Sequence, residues 1–151
     1  MNIKERFIKV TYRIENNFFL TVIRHGLTMM IPLILVGGVA CALMNLPLMG
    51  ENTIPYHHLL WLYSILNAIY QGTFGLFSLS LVIALSSSYG MERNETHDKI
   101  ASYVIVALGA YGVQLNIGTE NFDLSSLGAG GSFSAMFITL CACYLFEKRE
   151  I

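Results

Sequence analysis

The chain alternates between long apolar stretches and short islands of charged residues. Four stretches contain no Asp, Glu, Lys or Arg, and they cover residues 25–50, 52–91, 100–119 and 124–146. A helix needs about 20 residues to cross the roughly 30 Å hydrocarbon core of a bilayer, and each stretch is long enough to contain one. Because lipid offers no partner to free backbone groups, and because these stretches lack the alternation of barrel strands, we predict helices. The pattern therefore predicts an all-α, polytopic membrane helix bundle.

The nine Lys and Arg residues fall at every second connection between the apolar stretches. Five precede the first stretch, two lie between the second and third, and two follow the fourth: Lys4, Arg6, Lys9, Arg13 and Arg24; Arg93 and Lys99; Lys148 and Arg149. Basic residues concentrate on the cytoplasmic side of membrane proteins. The pattern therefore predicts four transmembrane helices with the N- and C-termini in the cytoplasm.

This topology allows the longest stretch to cross the membrane only once. A second crossing within 52–91 would place Arg93 and Lys99 on the outer side, against the alternation. The first part of the stretch is rich in Trp, Tyr and His, which favour the membrane interface. We therefore predict crossings over 26–48, 72–91, 99–118 and 127–146, and an outer-side interfacial or re-entrant helix over 54–70.

Residues 3–24 combine apolar and charged positions at helical spacing. The apolar positions share one helical stripe, and they are Ile3, Phe7, Val10, Ile14 and Phe18. We predict an amphipathic helix in the cytoplasmic interface; the alternative is a helix that packs on another part of the protein. The charges also interrupt any continuous apolar core, so the segment is unlike a cleavable signal peptide.

The composition agrees with a membrane location and removes several classes of function. Hydrophobic residues make up 54% of the chain and charged residues 13%, about half the charged share of a soluble domain. With a formal net charge of −1, we expect no nucleic-acid partner. Cys41, Cys141 and Cys143 lie in apolar stretches, where cysteine behaves as a small hydrophobe. We predict no metal, no cofactor and no catalytic residue.

Uncharged polar side chains are the candidates for a binding surface. The predicted crossings contain no Asp, Glu, Lys or Arg, which argues against a proton-coupled pump within these residues. The candidates are Asn67, Gln71 and Thr73 around the second crossing and Asn116 near the end of the third. Amides and hydroxyls of this kind can hold a sugar. The alternative is that they cap helices or form hydrogen bonds between helices.

Two of the apolar stretches contain short motifs built from glycine, proline and polar residues. Residues 19–47 contain a basic residue, a glycine, a proline motif and a small pair, here Arg24, Gly26, Ile31-Pro32-Leu33, Gly37 and Gly38. Residues 65–90 contain a polar residue and a Gly-Thr-x-Gly motif, here Gln71, Gly72, Thr73 and Gly75. With these motifs and the segment 98–114, the chain resembles the first part of enzyme IIC permeases of the bacterial phosphotransferase system, in the lactose, cellobiose and diacetylchitobiose group.

The resemblance implies a homodimeric permease of the bacterial cytoplasmic membrane that translocates a sugar, in this group a disaccharide, for phosphorylation by enzyme IIB. It implies that this first part supplies much of the dimer contact and scaffold, and that the second half carries most substrate contacts. The family's histidine and glutamate near the sugar lie in that second half and have no counterpart here. A second interpretation is a membrane sensory or anchoring module of a signalling protein such as a cyclic di-GMP phosphodiesterase. A third is an unrelated four-helix membrane protein that forms an oligomer.

Overall fold

The computed structural model describes residues 17–46, 54–115 and 127–150, and these residues are almost entirely helical, with no β-strand among them. Within this part of the chain the helices are α1 (Phe18–Met29), α2 (Ile31–Met44), α3 (Ile54–Phe74), α4 (Phe77–Glu92), α5 (His97–Gln114) and α6 (Ser132–Glu150). A 3-10 turn at Ala129–Gly131 leads into α6. The predicted all-α class is confirmed. Most of the predicted amphipathic helix over 3–24 lies outside the described residues.

Helices α1 and α2 together form one bent helix. Their axes differ by 44°, and Met30 is the single residue between them. Pro32 in the first turn of α2 has no backbone N–H, and its ring would clash with the carbonyl four residues earlier in a regular helix. The predicted boundary near residue 25 therefore falls inside α1, and the helix bends at Met30 instead.

Helices α3 and α4 form a second bent helix, with an axis change of 46° across Gly75 and Leu76. The Gly75 amide still donates to the carbonyl of Gln71 at 3.0 Å. A Cβ on Gly75 would collide with this carbonyl oxygen, so the bend requires a residue without a side chain. The predicted boundary between the 54–70 and 72–91 helices is accordingly displaced, because the helix continues through Gly72 and bends at Gly75.

Helices α1, α4, α5 and α6 pack into a four-helix bundle with α4 at its centre. The buried residues of α4 surround its axis, which is typical of a helix enclosed by neighbours. All four helices contribute to one core cluster, whose buried members are Val22, Val82, Tyr89, Tyr103, Ala107, Tyr111, Leu115, Ala135 and Cys143. This shared core makes the bundle the main body of the described structure.

Helices α2 and α3 pack antiparallel on each other and form a two-helix extension, which we name the arm. A smaller buried cluster of Met30, Leu81 and Leu85 lies between the first bend and α4, with Leu33 and Phe77 packed against it. Beyond this point the helix contacts of the arm are mainly between α2 and α3 themselves. The arm therefore presents most of its surface outward.

One helical segment is long and apolar enough to cross a membrane alone, and it runs over Ala129–Arg149. Each bent helix meets the same criterion only when its two halves are taken as one broken span, so the described residues contain one to three candidate spans. Helix α5 is not among them because it begins with His97, Asp98 and Lys99, which shortens its apolar run. The predicted number of four crossings is therefore not confirmed.

The outer surface is apolar, whereas the interior includes hydroxyl groups. Val113, Phe133 and Ile105 are 79%, 74% and 70% exposed. In contrast, Ser86 and Ser88 are fully buried. Water-soluble proteins rarely expose extended apolar surface. This distribution is typical of helices surrounded by lipid and agrees with the predicted membrane class.

Candidate functional site

Three of the four predicted candidate residues lie on α3, where the structure separates them into two groups. Asn67 and Gln71 are exposed and, four residues apart, share one face of the helix. Thr73 is 9% exposed and lies on the face that packs against α2. Asn116 lies outside the described residues. Of the predicted set, the structure therefore brings together Asn67 and Gln71 only.

Thr73 occupies a packing position in the contact between α2 and α3. Its hydroxyl lies 2.9 Å from the carbonyl oxygen of Ile69 and 3.1 Å from that of Tyr70, so it bonds within its own helix. A Cβ on Gly37 would collide with this hydroxyl and with the ring of Phe74. Small residues allow such close approach of membrane helices. This contact accounts for Thr73 without a ligand.

Asn67 and Gln71 form, with Ser64, a line of exposed polar side chains that we name the polar stripe. None of the three makes a side-chain hydrogen bond within the described part of the chain. Exposed Trp61 and Ile65 lie beside the stripe on the same helix. Placing an amide in hydrocarbon without a partner costs roughly 2–7 kcal/mol. The polar stripe is therefore suited to contact with water, a polar ligand or another protein surface.

One end of the bundle, where α1 begins and α4 and α6 end, joins charged and aromatic side chains. We name it the basal end, and its basal cluster consists of Phe18, Tyr89, Arg93, Tyr103, Phe146 and Glu147. The Arg93 guanidinium donates to the Glu147 carboxylate at 3.1 Å and lies over the Phe18 ring, 4.2 Å from its centroid. The Tyr89 hydroxyl donates to the same carboxylate oxygen at 2.5 Å. These contacts tie α1, α4 and α6 together.

Aromatic edges and charge complete the basal cluster. Phe18 meets Tyr89 edge to face at 5.1 Å between centroids, and Tyr103 meets Phe146 in the same way at 5.2 Å. Burial by itself lowers the pKa of Arg93, but the hydrogen bond with Tyr89 and the Glu147 carboxylate raise this pKa above its ordinary value. The guanidinium therefore stays charged, and we interpret the basal cluster as a structural tie.

A second polar site lies between α1 and α4, near the basal end. It is an open pocket of about 280 Å³ lined by Thr21, Arg24, His25, Thr28 and Glu92. His25 Nδ1 lies 2.9 Å from a carboxylate oxygen of Glu92, and the Thr28 hydroxyl donates to the Arg24 carbonyl at 2.8 Å. Since these groups already have partners, the exposed Arg24 guanidinium is the group left to contact the surroundings.

Sequence reasoning identified neither the basal cluster nor the pairing of His25 with Glu92. Phe18, Arg93 and Glu147 are far apart along the chain, and no local spacing connects them. In the sequence, Arg93 indicates only the side of the membrane on which its loop lies. The available signal was the position of charged residues directly beside the uncharged stretches. Such groups become half-buried when the helices pack, and they then need partners.

The described residues contain no group of three or more His, Cys, Asp or Glu side chains that is arranged to hold a metal ion. Comparisons with protein families, with curated proteins and with solved structures each find no match to this chain. Function must therefore be argued from three features of the chain itself, namely the polar stripe, the close contact between the arm helices and the basal cluster.

Proposed function

We propose that this chain forms the scaffold and dimerisation part of a sugar permease of the enzyme IIC type in the bacterial cytoplasmic membrane. In such a system the sugar, here a disaccharide, is phosphorylated by enzyme IIB. The observation that carries the proposal is the polar stripe on the arm. Its amides face outward among apolar side chains, where lipid is an unfavourable neighbour. A scaffold that contacts the sugar pathway or a second permease surface gives these amides partners.

The chemistry of the polar stripe fits a sugar or the polar lining of its pathway. An amide side chain has both a donor and an acceptor, so Asn67 and Gln71 match hydroxyl groups, which also donate and accept. Both side chains lie on one helix face, four residues apart. The motifs around Gln71 that resemble the permease family support the same assignment.

We propose four crossings with both ends in the cytoplasm, so that the basal end faces the cytoplasm. This arrangement is supported by the alternation of basic residues and by the position of Arg93, Lys148 and Arg149 at the basal end. It requires each bent helix to cross once and α5 to cross with residues beyond Gln114. Single cysteines at two of the connections test it.

The topology test uses Asn52→Cys and Thr96→Cys, the second at a position whose side chain makes no helix-capping hydrogen bond. A membrane-impermeant thiol reagent should label Asn52→Cys in intact cells and should label Thr96→Cys only after the membrane is opened. The three native cysteines are replaced by serine or alanine beforehand. Labelling of Thr96→Cys in intact cells contradicts the proposed orientation.

The function test measures uptake of labelled cellobiose and lactose by cells that express the complete reading frame. Asn67→Leu and Gln71→Leu should each reduce uptake at least tenfold, since each removes a polar partner from the stripe. Ala68→Leu is the matched control, because Ala68 is exposed on the same helix beside the stripe. It should retain uptake, and immunoblots of membranes should show equal amounts of all variants.

Uptake that is no higher than in cells lacking the reading frame, despite membrane insertion, contradicts the permease proposal. Equal uptake by Asn67→Leu, Gln71→Leu and the control removes the stripe from the sugar pathway. In that case the scaffold role requires a dimer in detergent, which analytical ultracentrifugation measures, and a monomer contradicts it.

The second candidate function is a membrane sensory or anchoring module. The basal cluster favours it, because Phe18 at the start of α1 and Glu147 near the end of α6 are joined through Arg93. A signalling domain attached at this end would be coupled to the bundle. Cyclic di-GMP hydrolysis by membranes that contain the complete reading frame, without sugar uptake, would select this function.

A further inference from the structure

A groove on the outside of the bundle, between α5 and α6, combines an apolar wall with one cation. It has a volume of about 690 Å³ and is lined by Val106, Ala110, Ala142, Leu145, Phe146 and Arg149. Two facing alanines, Ala110 and Ala142, leave the space between the helices open. Arg149 stands at the basal mouth of the groove, and Ala142 lies about 10 Å deeper along α6, at 1.5 Å per residue.

The electrostatics of the groove favour an anion at its mouth. Arg149 is exposed and forms no ion pair within the described part of the chain. The nearest acidic residue in sequence whose side chain is described, Glu147, is engaged by Arg93 and Tyr89. Among the described side chains, no carboxylate lines the groove. A negatively charged group at Arg149 therefore meets a positive charge that no described carboxylate neutralises.

Two other surface recesses differ in ways that matter for the choice of ligand. A groove of about 340 Å³ on the arm is lined by residues such as Leu35, Val39 and Leu66, and all of its described lining side chains are apolar. The pocket between α1 and α4 is largely polar and includes the Glu92 carboxylate. The groove between α5 and α6 combines an apolar length with a positive end, which matches a molecule with an acyl chain and an anionic head.

We propose that the groove between α5 and α6 binds one anionic phospholipid. Its phosphate lies at Arg149, and part of one acyl chain follows Val106, Ala110, Ala142 and Leu145. Helix α6 belongs to the segment that is long and apolar enough to span a membrane, so this groove faces lipid. Basic pockets between membrane helices bind anionic lipid head groups by the same chemistry. The proposal requires membrane insertion but not sugar transport.

The test uses tryptophan fluorescence in vesicles, because the chain has a single tryptophan, Trp61, on the arm. In a Trp61→Phe background, Leu145→Trp places a reporter at the edge of the groove, where Leu145 is 65% exposed. Brominated phosphatidylglycerol and brominated phosphatidylcholine quench this reporter in proportion to their occupancy. We expect phosphatidylglycerol to be preferred about fivefold, the selectivity of one basic residue at a membrane surface.

Three variants in the reporter background separate the groove from general surface charge. Arg149→Gln should abolish the preference for phosphatidylglycerol. Lys148→Gln is the matched control, because Lys148 is a neighbouring exposed cation that does not line the groove, and it should retain most of the preference. Ala142→Leu fills the groove and should weaken quenching by both lipids at least twofold. A second reporter, Phe133→Trp at the other end of α6, should show no preference.

Several outcomes would overturn the proposal. Equal quenching by the two lipids at the Leu145→Trp reporter removes head-group recognition. If Lys148→Gln and Arg149→Gln reduce the preference for phosphatidylglycerol equally, the preference comes from diffuse surface charge and not from the groove. If the Phe133→Trp reporter is quenched and the Leu145→Trp reporter is quenched by neither lipid, protein covers the groove, either a second copy or another segment. If Ala142→Leu is quenched as strongly as the reporter protein that keeps Ala142, an acyl chain does not occupy the groove.

Discussion

The bundle of α1, α4, α5 and α6 and the arm of α2 and α3 differ in how their helices are joined. In the bundle, hydrogen bonds connect separate helices. The Ser88 hydroxyl donates to the Val22 carbonyl at 2.9 Å, and the Ser78 and Tyr111 hydroxyls lie 2.6 Å apart. In the arm, the hydroxyl of Thr73 bonds within its own helix, and Gly37 of α2 lies against Thr73 and Phe74 of α3 because it has no side chain.

This difference has a physical consequence in a membrane. Packing two apolar helices gains little from the hydrophobic effect there, because lipid is as apolar as the partner helix. Dispersion contacts and hydrogen bonds between helices then decide stability. The bundle uses both, whereas the described contacts of the arm are mainly dispersion. We therefore expect the bundle to be the rigid part and the arm to be the part that adapts to a partner.

The largest expected difference comes from enlarging one glycine in each region. A Cβ on Gly26 would lie 2.8 Å from Leu85 Cδ2 and 3.1 Å from its Cα, whereas a Cβ on Gly38 meets nothing within 4 Å. Gly26→Leu should therefore force α1 away from α4 and lower the free energy of unfolding by about 3 kcal/mol, the upper end for overpacking. Gly38→Leu should not lower it and should raise it by up to about 1 kcal/mol through helix propensity. Unfolding in sodium dodecyl sulfate, followed by circular dichroism, measures both.

Removing one hydroxyl from each region gives the next largest contrast. Tyr89→Phe deletes a part-buried hydrogen bond to the Glu147 carboxylate and should destabilise the protein by about 1.5 kcal/mol. Thr73→Val deletes a hydroxyl that bonds only within its helix and should change stability by less than about 0.5 kcal/mol.

Arg93→Met should cost under about 1 kcal/mol, because Arg93 is 41% exposed and solvent screens its ion pair.

The bend between arm and bundle offers a test with opposite signs at two nearby glycines. Gly75→Ala should destabilise by about 1 kcal/mol, because its Cβ would meet the Gln71 carbonyl. Gly72→Ala lies in open space inside α3 and should stabilise by up to about 1 kcal/mol through helix propensity. The same unfolding assay measures both changes. Equal effects at the two positions would mean that Gly75 does not hold the bend.

The smallest effect is expected at the polar stripe. Asn67→Leu and Gln71→Leu should change the unfolding free energy of the chain in detergent by less than about 0.5 kcal/mol, because neither amide has a hydrogen-bond partner in the described part of the chain. A loss above about 1 kcal/mol would show that the amides already serve the fold. The predicted loss of sugar uptake would then no longer distinguish a pathway role.

The sequence pattern predicted the helical class correctly, but the positions of the bends needed the structure. Pro32 is a visible helix breaker near the first bend. At the second bend, Gly72 and Gly75 look equivalent in sequence, and only the packed backbone distinguishes the open position from the constrained one. The predicted third crossing, 99–118, is not matched by a candidate span for another reason. Helix α5 begins with three polar residues and is described only as far as Gln114.

The candidate site was predicted in part. Asn67 and Gln71 were identified because amide side chains can hold a sugar, and the structure places both on one exposed face of α3. Thr73 shares the motif but faces α2, because the helix turns about 200° between Gln71 and Thr73, at 3.6 residues per turn. The basal cluster was not predicted, because Phe18, Arg93 and Glu147 meet only after the helices pack.

Local chemistry along the chain is sufficient to specify apolar helices, polar islands and a set of candidate polar side chains. These properties follow from transfer free energies and backbone hydrogen bonding, which act on each segment separately. The division into bundle and arm, the pairing of Arg93 with Glu147 and the outward direction of Asn67 depend on which helix faces meet. Those contacts are long-range, so only the tertiary structure decides them.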